Sequence, residues 1–190
     1  MLEKIINLDK ELFLFLNNLG STPIDGFWLF VTKQSNWTPF FLLLLFFVYK
    51  KLGTKKTLLL VFTVILILII TDQTSNFFKD YFQRLRPCNN QDFVGLMRNI
   101  KPSLTFSFFS GHAANSAAVA FFLFLTMKKH YKFFGFIIFW PLIFAYSRIY
   151  LGLHYPLDIF TGYLFGLFFG FLAFKFYCFL ERKISFKLAN

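Results

Sequence analysis

Carboxylates are scarce in this chain. Nine Asp and Glu stand against 20 Lys and Arg over 190 residues, a formal charge of +11. No cluster of acidic side chains suits magnesium, which takes oxygen ligands. Cysteine is almost absent as well. Cys88 and Cys178 are the two, and the spans assigned below put them near opposite faces of a bilayer, which argues against a disulfide and makes both inert small residues. A cleavable leader is not apparent, because Met1 to Asn18 carries Glu3, Asp9 and Glu11 among its lysines and has no long apolar core. Internal repeats and low-complexity linkers are missing too. No basic face with a nucleic-acid-binding pattern appears, so the excess of cations does not point to nucleic acid.

What the chain has in abundance is apolar surface. It is 57% hydrophobic and 23% aromatic, with 33 Phe. A soluble domain of this length could not hide so much, and the solvent it implies is a bilayer. The expected fold class is all-α, a polytopic membrane helix bundle. Five spans are read: Trp37 to Tyr49, Lys56 to Lys79 with a continuous core from Leu58 to Ile70, Ala113 to Met127, Phe133 to Tyr146, and Leu157 to Leu180. A helix needs about 20 residues to cross the hydrocarbon. The third and fourth spans reach that only by recruiting polar flanks that face the bundle interior. Residues 1–35 form a separate N-terminal segment ahead of the domain at 36–190. Leu8, Leu12, Phe15 and Leu16 share one helical face opposite Asp9 and Lys10, the pattern of an amphipathic helix lying in the interface. A sixth span is the alternative.

The lysines orient the bundle. Lys50, Lys51, Lys55 and Lys56 lie between the first two spans, Lys128, Lys129 and Lys132 between the third and fourth, and Arg182, Lys183 and Lys187 after the fifth. Alternating spans put these segments on one side, and the positive-inside rule makes it the cytoplasm. The opposite, outer face then receives three polar clusters. A bacterial inner membrane with the site facing outward is the expected location.

Those clusters carry the chemistry, since polar groups beside membrane spans are functional candidates by default. The first runs from Lys79 to Arg86-Pro87; its cations suit a tetrahedral oxyanion or, alternatively, mark a charged membrane boundary. The second, Phe109-Ser110-Gly111-His112, precedes a helical run. It offers a Ser110 N-cap, a glycine that lets a ligand approach the backbone, unpaired amides, and a histidine able to act as an acid; a simple capping turn is the plainer reading. The third places Ser147-Arg148 before His154 and Asp158. A carboxylate on one imidazole nitrogen leaves the other nucleophilic, although such a pair can also be purely structural. Thr71, Asp72, Ser75, Asn76 and Lys79 fall on one face of the second span, and Asp72 is expected to be buried and paired, with Asp72 and Asn76 supporting the site.

Lys79, six residues, Arg86-Pro87, then Ser110-Gly111-His112, then Ser147-Arg148, five residues, His154, three residues, Asp158 resembles the three-part motif of the type 2 phosphatidic acid phosphatase superfamily, which also includes vanadium haloperoxidases. The resemblance covers about residues 37 to 180, with Phe109 where many members have Pro. It implies that His154 attacks phosphorus and forms a phosphohistidine, that Asp158 orients it, and that His112 protonates the leaving oxygen. It also implies that Lys79, Arg86, Arg148, Ser110 and the Gly111 amide hold the phosphoryl oxygens, without metal or other cofactor. The expected activity is that of an outward-facing membrane phosphatase removing a terminal phosphate from a lipid. Undecaprenyl diphosphate is the first candidate, and phosphatidic acid, phosphatidylglycerol phosphate and lipid A phosphate stay open. A lipid-phosphate binder or transporter without turnover is the reading from another class; it needs the cations but not two histidines and an orienting Asp158. The expected partners are therefore a lipid phosphate and membrane lipids, with Arg98, Lys101 and the segment from Cys88 to Phe108 expected to shape the headgroup pocket.

Overall fold

The computed structural model describes residues 1–187, and among them the regular structure is helical, with no strand. The α-helices are α1 (Leu2–Asn18), α2 (Asp25–Thr32), α3 (Thr38–Phe82), α4 (Gly111–Met127), α5 (Phe139–Tyr150) and α6 (Pro156–Lys187). The last three residues of the domain expected over 36–190 lie outside the described part.

The first two expected spans are two limbs of α3. One residue breaks it: Gly53, at φ 73° and ψ 174°, a conformation that glycine tolerates and side-chain-bearing residues rarely adopt. Lys50, Lys51, Lys55 and Lys56, expected in a loop, therefore flank a sharp corner. The fourth span begins as 3-10 helix over Lys132–Ile138 and continues as α5. Gln34–Phe93 (divided by the Gly53 break), Lys132–Tyr150 and Pro156–Lys183 are long and apolar enough to cross a bilayer.

Helix α4 is shorter, at 17 residues or roughly 25 Å. It is the central post of the bundle. Ala113, Ala114, Ala117, Ala118, Phe122 and Met127 are all nearly or fully buried, so its polar ends meet protein rather than lipid. Small residues make that burial possible. Along α6, a Cβ at Gly162 would lie 2.6 Å from the Ser110 carbonyl oxygen, at Gly166 2.5 Å from that of Ala114, and at Gly170 2.7 Å from that of Ala118. Both series advance by four residues in the same direction. The two helices are thus parallel and in backbone contact, the close approach that small residues at every fourth position permit in membranes.

Polar groups inside the bundle are satisfied locally. Thr57, Thr63 and Thr71 sit on the buried face of α3, and each hydroxyl donates at 2.8 Å to the carbonyl four residues back. The opposite face presents Leu58, Phe62, Ile65 and Ile69, as α6 presents Phe160, Leu164 and Phe168. These outward bands suit lipid. At one end of the bundle, Lys56 pairs with Glu181 at 2.7 Å, and His130 stands near Lys51, Lys129 and Glu181. The basic segments expected on one side therefore meet there.

Neither α1 nor α2 is among the helices long and apolar enough to span. The faces of α1 differ from expectation. Leu8, Leu12 and Phe15 point outward, but Asp9 is not on a solvated face: Asp9, Phe13 and Asn17 form the buried stripe, at 6%, 0% and 0% exposure. The reason is that polar partners for Asp9 and Asn17 wait in the protein, at the ends of α5 and α6.

Gly166→Leu is expected to force α4 and α6 apart, at a cost of about 1–3 kcal/mol or more. The check is the thermal melting temperature in detergent, which should fall, together with enzymatic activity.

Candidate active site

The parallel contact of α4 with α6 sets the N-termini of both helices side by side. The Ser110 amide donates to the Asp158 carbonyl oxygen at 3.1 Å, joining the second and third polar clusters directly. Ser110 is the N-cap of α4, its hydroxyl accepting from the Ala113 amide at 3.4 Å. Helix α4 starts at Gly111, two residues before the expected start, so His112 lies in the first turn. Its ring stacks on Phe144, with centroids 5.7 Å apart. Arg148, His154, Lys79 and Arg86 are the charged or titratable groups around it. A Cβ on Gly111 would lie 2.7 Å from Ser75 Oγ, which brings the Lys79 limb of α3 against the start of α4.

The third cluster is folded by a helix stop. Gly152, at φ +78°, follows the last turn of α5, and the Leu153 amide returns to the Arg148 carbonyl at 2.9 Å. This left-handed cap reverses the chain and delivers His154 to the start of α6. His154 is 1% exposed and Asp158 fully buried. Nδ1 of His154 is 3.5 Å from Asp158 Oδ2 and has no hydrogen-bond partner. Nε2 is 3.2 Å from Arg86 Nη1. A guanidinium has donors only, so Nε2 must be the lone-pair nitrogen and Nδ1 carries the proton, aimed at Asp158. Burial, followed by the charges of Arg86, Arg148 and Lys79, holds His154 well below the ordinary histidine range. With its Nε2 lone pair toward a guanidinium, the ring is in its neutral form.

Around it stand three cations that no carboxylate neutralises. Among the described residues, Lys79, Arg86 and Arg148 make no ion pair. Arg86 is held by the Thr105 carbonyl at 2.9 Å, the Thr105 hydroxyl at 2.8 Å and the Leu153 carbonyl at 3.0 Å. Arg148 donates to the Thr32 hydroxyl at 2.7 Å, while its Nε is buried without a partner. Lys79 Nζ has long contacts to Ser75 Oγ at 3.5 Å and Asn76 Oδ1 at 3.4 Å. Like charges kept together with a free buried donor form a receptor for an anion with several oxygens.

Two expectations need correction. Asp72 is exposed rather than buried: it accepts from Asn115 Nδ2 at 2.8 Å and lines a cavity of about 470 Å³ between α3, α4 and α5. That cavity is walled by Leu44, Val64, Val119, Leu123 and Phe144, so the carboxylate stands at an apolar groove beside Gly111. Its burial was expected because lipid penalises a carboxylate; the groove and Asn115 resolve this instead. Arg98, expected to shape the headgroup pocket with the segment from Cys88 to Phe108, turns away from the site. It forms a bidentate pair with Asp25 at 2.7 and 2.8 Å and donates to the Tyr150 hydroxyl at 3.0 Å.

Arg84 went unassigned in the sequence although it lies within the first cluster. It donates to Asp158 Oδ1 at 2.7 Å and Asp9 Oδ2 at 2.6 Å, with its guanidinium 3.8 Å from the centre of the Tyr155 ring. Removing it would strand two buried carboxylates, a loss of roughly 3–5 kcal/mol. Thr32 and Thr105 were also invisible, because no motif flags a lone hydroxyl far away in the chain. Gly152 had a readable signal, a glycine just past a helical run.

The model of the PAP2 superfamily matches residues 56–182. A lipid A 4'-phosphatase of Porphyromonas gingivalis is 33% identical over 96% of this chain and 78% of its own length. One from Bacteroides thetaiotaomicron is 34% identical over 100% and 84%. An undecaprenyl-diphosphatase of Sulfolobus acidocaldarius is 37% identical over 47% of this chain and 42% of its own. The crystal structure of a transmembrane PAP2 type phosphatidylglycerolphosphate phosphatase from Bacillus subtilis superposes with a TM-score of 0.68 at 21% identity, over 95% of this chain and 88% of that one. The chain is thus an integral membrane phosphatase, a hydrolase of phosphate esters, and it belongs to the PAP2 superfamily.

Proposed function

We propose that the phosphate of a membrane lipid binds among Lys79, Arg86 and Arg148 and is transferred to His154. The observation that carries this reading is the group of three cations without carboxylate partners around a neutral histidine whose lone pair faces them. In the first step the Nε2 lone pair bonds to phosphorus as the bond to the lipid oxygen breaks. His112, in the first turn of α4, takes up a proton as the bound phosphate dianion offsets the surrounding cations, and gives it to that oxygen. Asp158 faces Nδ1–H and stabilises the imidazolium character that develops. Water then attacks phosphorus, with the now neutral His112 taking the water's proton; the P–Nε2 bond breaks, its electron pair returns to Nε2, and inorganic phosphate leaves. The Ser110 hydroxyl and the first amides of α4 add donors and positive potential for the phosphoryl oxygens. Catalysis of this kind is positioning plus charge neutralisation. Pure binding is the weaker reading, since it leaves the His154–Asp158 pair and His112 without a task.

The lipid part has a place in the groove between α3, α4 and α5. Phe144 belongs both to its wall and to the stack on His112, so an apolar chain in the groove would hold its phosphate near the histidines. For the substrate we favour a lipid A-type phosphate over undecaprenyl diphosphate. Two lipid A 4'-phosphatases align with nearly the whole chain, whereas the undecaprenyl-diphosphatase aligns with about half of it. The site would face outward across a bacterial inner membrane, since the basic ends gather at the opposite face of the bundle.

Phosphate release from a panel of lipid A 4'-phosphate, undecaprenyl diphosphate, phosphatidic acid and phosphatidylglycerol phosphate tests the substrate. Turnover is expected to be fastest on lipid A, blocked by vanadate and unchanged by EDTA; no release from any member would refute the phosphatase reading. Val64→Trp, which fills the groove, should lower kcat/KM on the lipid about tenfold, equivalent to ~1.4 kcal/mol, while sparing a short-chain phosphate. With Cys88 and Cys178 replaced by Ser, a Lys101→Cys variant should react with an impermeant maleimide in intact cells. Labelling only after permeabilisation would reverse the orientation.

A further inference from the structure

We infer that α1 is a clamp that positions His154: Asp9 and Asn17 hold the two helix ends on either side of it, and Asp9, through Arg84, sets the carboxylate of Asp158. This rests on the phosphatase reading above and adds residues to its machinery. At one end of the buried stripe, Asn17 Nδ2 donates to the Ile149 and Tyr150 carbonyls at 3.1 and 2.9 Å, and its Oδ1 accepts from the Arg98 amide at 2.7 Å. Both carbonyls lie in the last turn of α5, where that of Ile149 also accepts from the Gly152 amide at 3.0 Å and that of Tyr150 has Asn17 in place of a backbone donor. Two turns earlier, Asp9 Oδ1 accepts from the Leu157 amide at 2.8 Å, one of the first amides of α6. One helix thus supplies a C-terminal cap to α5 and an N-terminal cap to α6. Between them, Phe13 is fully buried against Phe93 and Tyr155, each with ring centroids 5.5 Å away. The gripped segment, Leu151–Tyr155, is the connection that carries His154.

The charge arrangement makes the clamp more than a packing device. Asp9 and Asp158 share the single cation Arg84, so its charge is divided between two buried carboxylates. Arg84 occupies Oδ1 of Asp158, and the Tyr155 amide donates to Oδ2 at 3.0 Å, so the carboxylate is fixed in rotation with Oδ2 toward Nδ1 of His154. Without Asp9, Arg84 would turn its full charge on Asp158 and weaken the support that Asp158 gives to the phosphorylated imidazole. Buried ion groups add little to stability compared with apolar packing. An interfacial helix held only for stability would be anchored by more residues like Phe13, not by a buried aspartate.

The test is steady-state kinetics of the full chain in detergent on the best lipid phosphate of the panel, with melting temperatures measured alongside. Asp9→Asn and Arg84→Gln are each expected to lower kcat by about 10- to 100-fold with little change in KM. The double variant should be no slower than the slower single variant, because both act through Asp158. Leu12→Ala, on the outward face of α1, should keep wild-type kcat. Wild-type kcat in Asp9→Asn, a loss confined to KM, or additive losses would overturn the inference. If Asp9→Asn or Arg84→Gln does not persist as folded protein, Asp9→Glu and Arg84→Lys decide instead, since they keep both charges and change only the reach. A lowered kcat in those folded variants supports positioning, and full kcat overturns it. His154→Ala in the same assay separates the two levels: if it still turns over, the phosphohistidine reading fails whatever the α1 variants do.

Discussion

The parallel packing of α4 against α6 is the constraint on which the rest of the site depends. Gly162, Gly166 and Gly170 lie over the carbonyls of Ser110, Ala114 and Ala118, so close that no Cβ fits. Because the two helices run the same way, their N-termini reach the same membrane face together. Both macrodipoles point their positive ends at that face, and both first turns hold a site residue, His112 in one and Asp158 in the other. An antiparallel pair of equal closeness would separate those residues by the thickness of the bundle. The cations from α3 and α5 then complete a pocket whose positive potential already exists in the backbone.

Lipid as solvent explains how polar groups come to be buried and large apolar ones exposed. Apolar side chains gain little by leaving lipid for protein, so many phenylalanines and leucines stay on the outside, while small residues, backbone-bonded threonines and the site are buried beside apolar neighbours such as Phe122 and Phe144. Polar groups that cannot reach water must find partners within the chain. Asp9, Arg84 and Asp158 form one chain of such partners, and Asn17, Arg98, Asp25 and Tyr150 form another. Both chains fasten the N-terminal helices to the end of the bundle that holds the site. The N-terminal segment, separable in the sequence at about residue 35, is therefore built into the region around His154.

Much of this was legible in the sequence, and the reasons are physical. Runs without charge have one stable form in lipid, so the helices could be counted from hydropathy, and the lysines marked which ends belong together. Lys79, Arg86, His112, Arg148, His154 and Asp158 stood out because ionisable groups beside apolar spans are costly, and the fold brings them to one end of the bundle. The misreadings came from pairwise geometry, which composition does not encode. Asp9 looked solvated because its partner Arg84 lies 75 residues away. Asp72 looked buried because a groove between helices cannot be seen along one helix. The glycines of α6 looked incidental until their register against α4 was known. The Lys50 to Lys56 loop proved to be a single glycine corner, since a helix break needs one residue and no loop at all.

Covalent capture during turnover tests the central claim most directly. The enzyme is mixed with a lipid phosphate labelled in its terminal phosphoryl group, quenched in alkali within the first turnover, and digested for peptide mapping. The account predicts an acid-labile, base-stable phosphoryl group on His154. Labelling of another residue, or turnover with no labelled protein at any quench time, would contradict it.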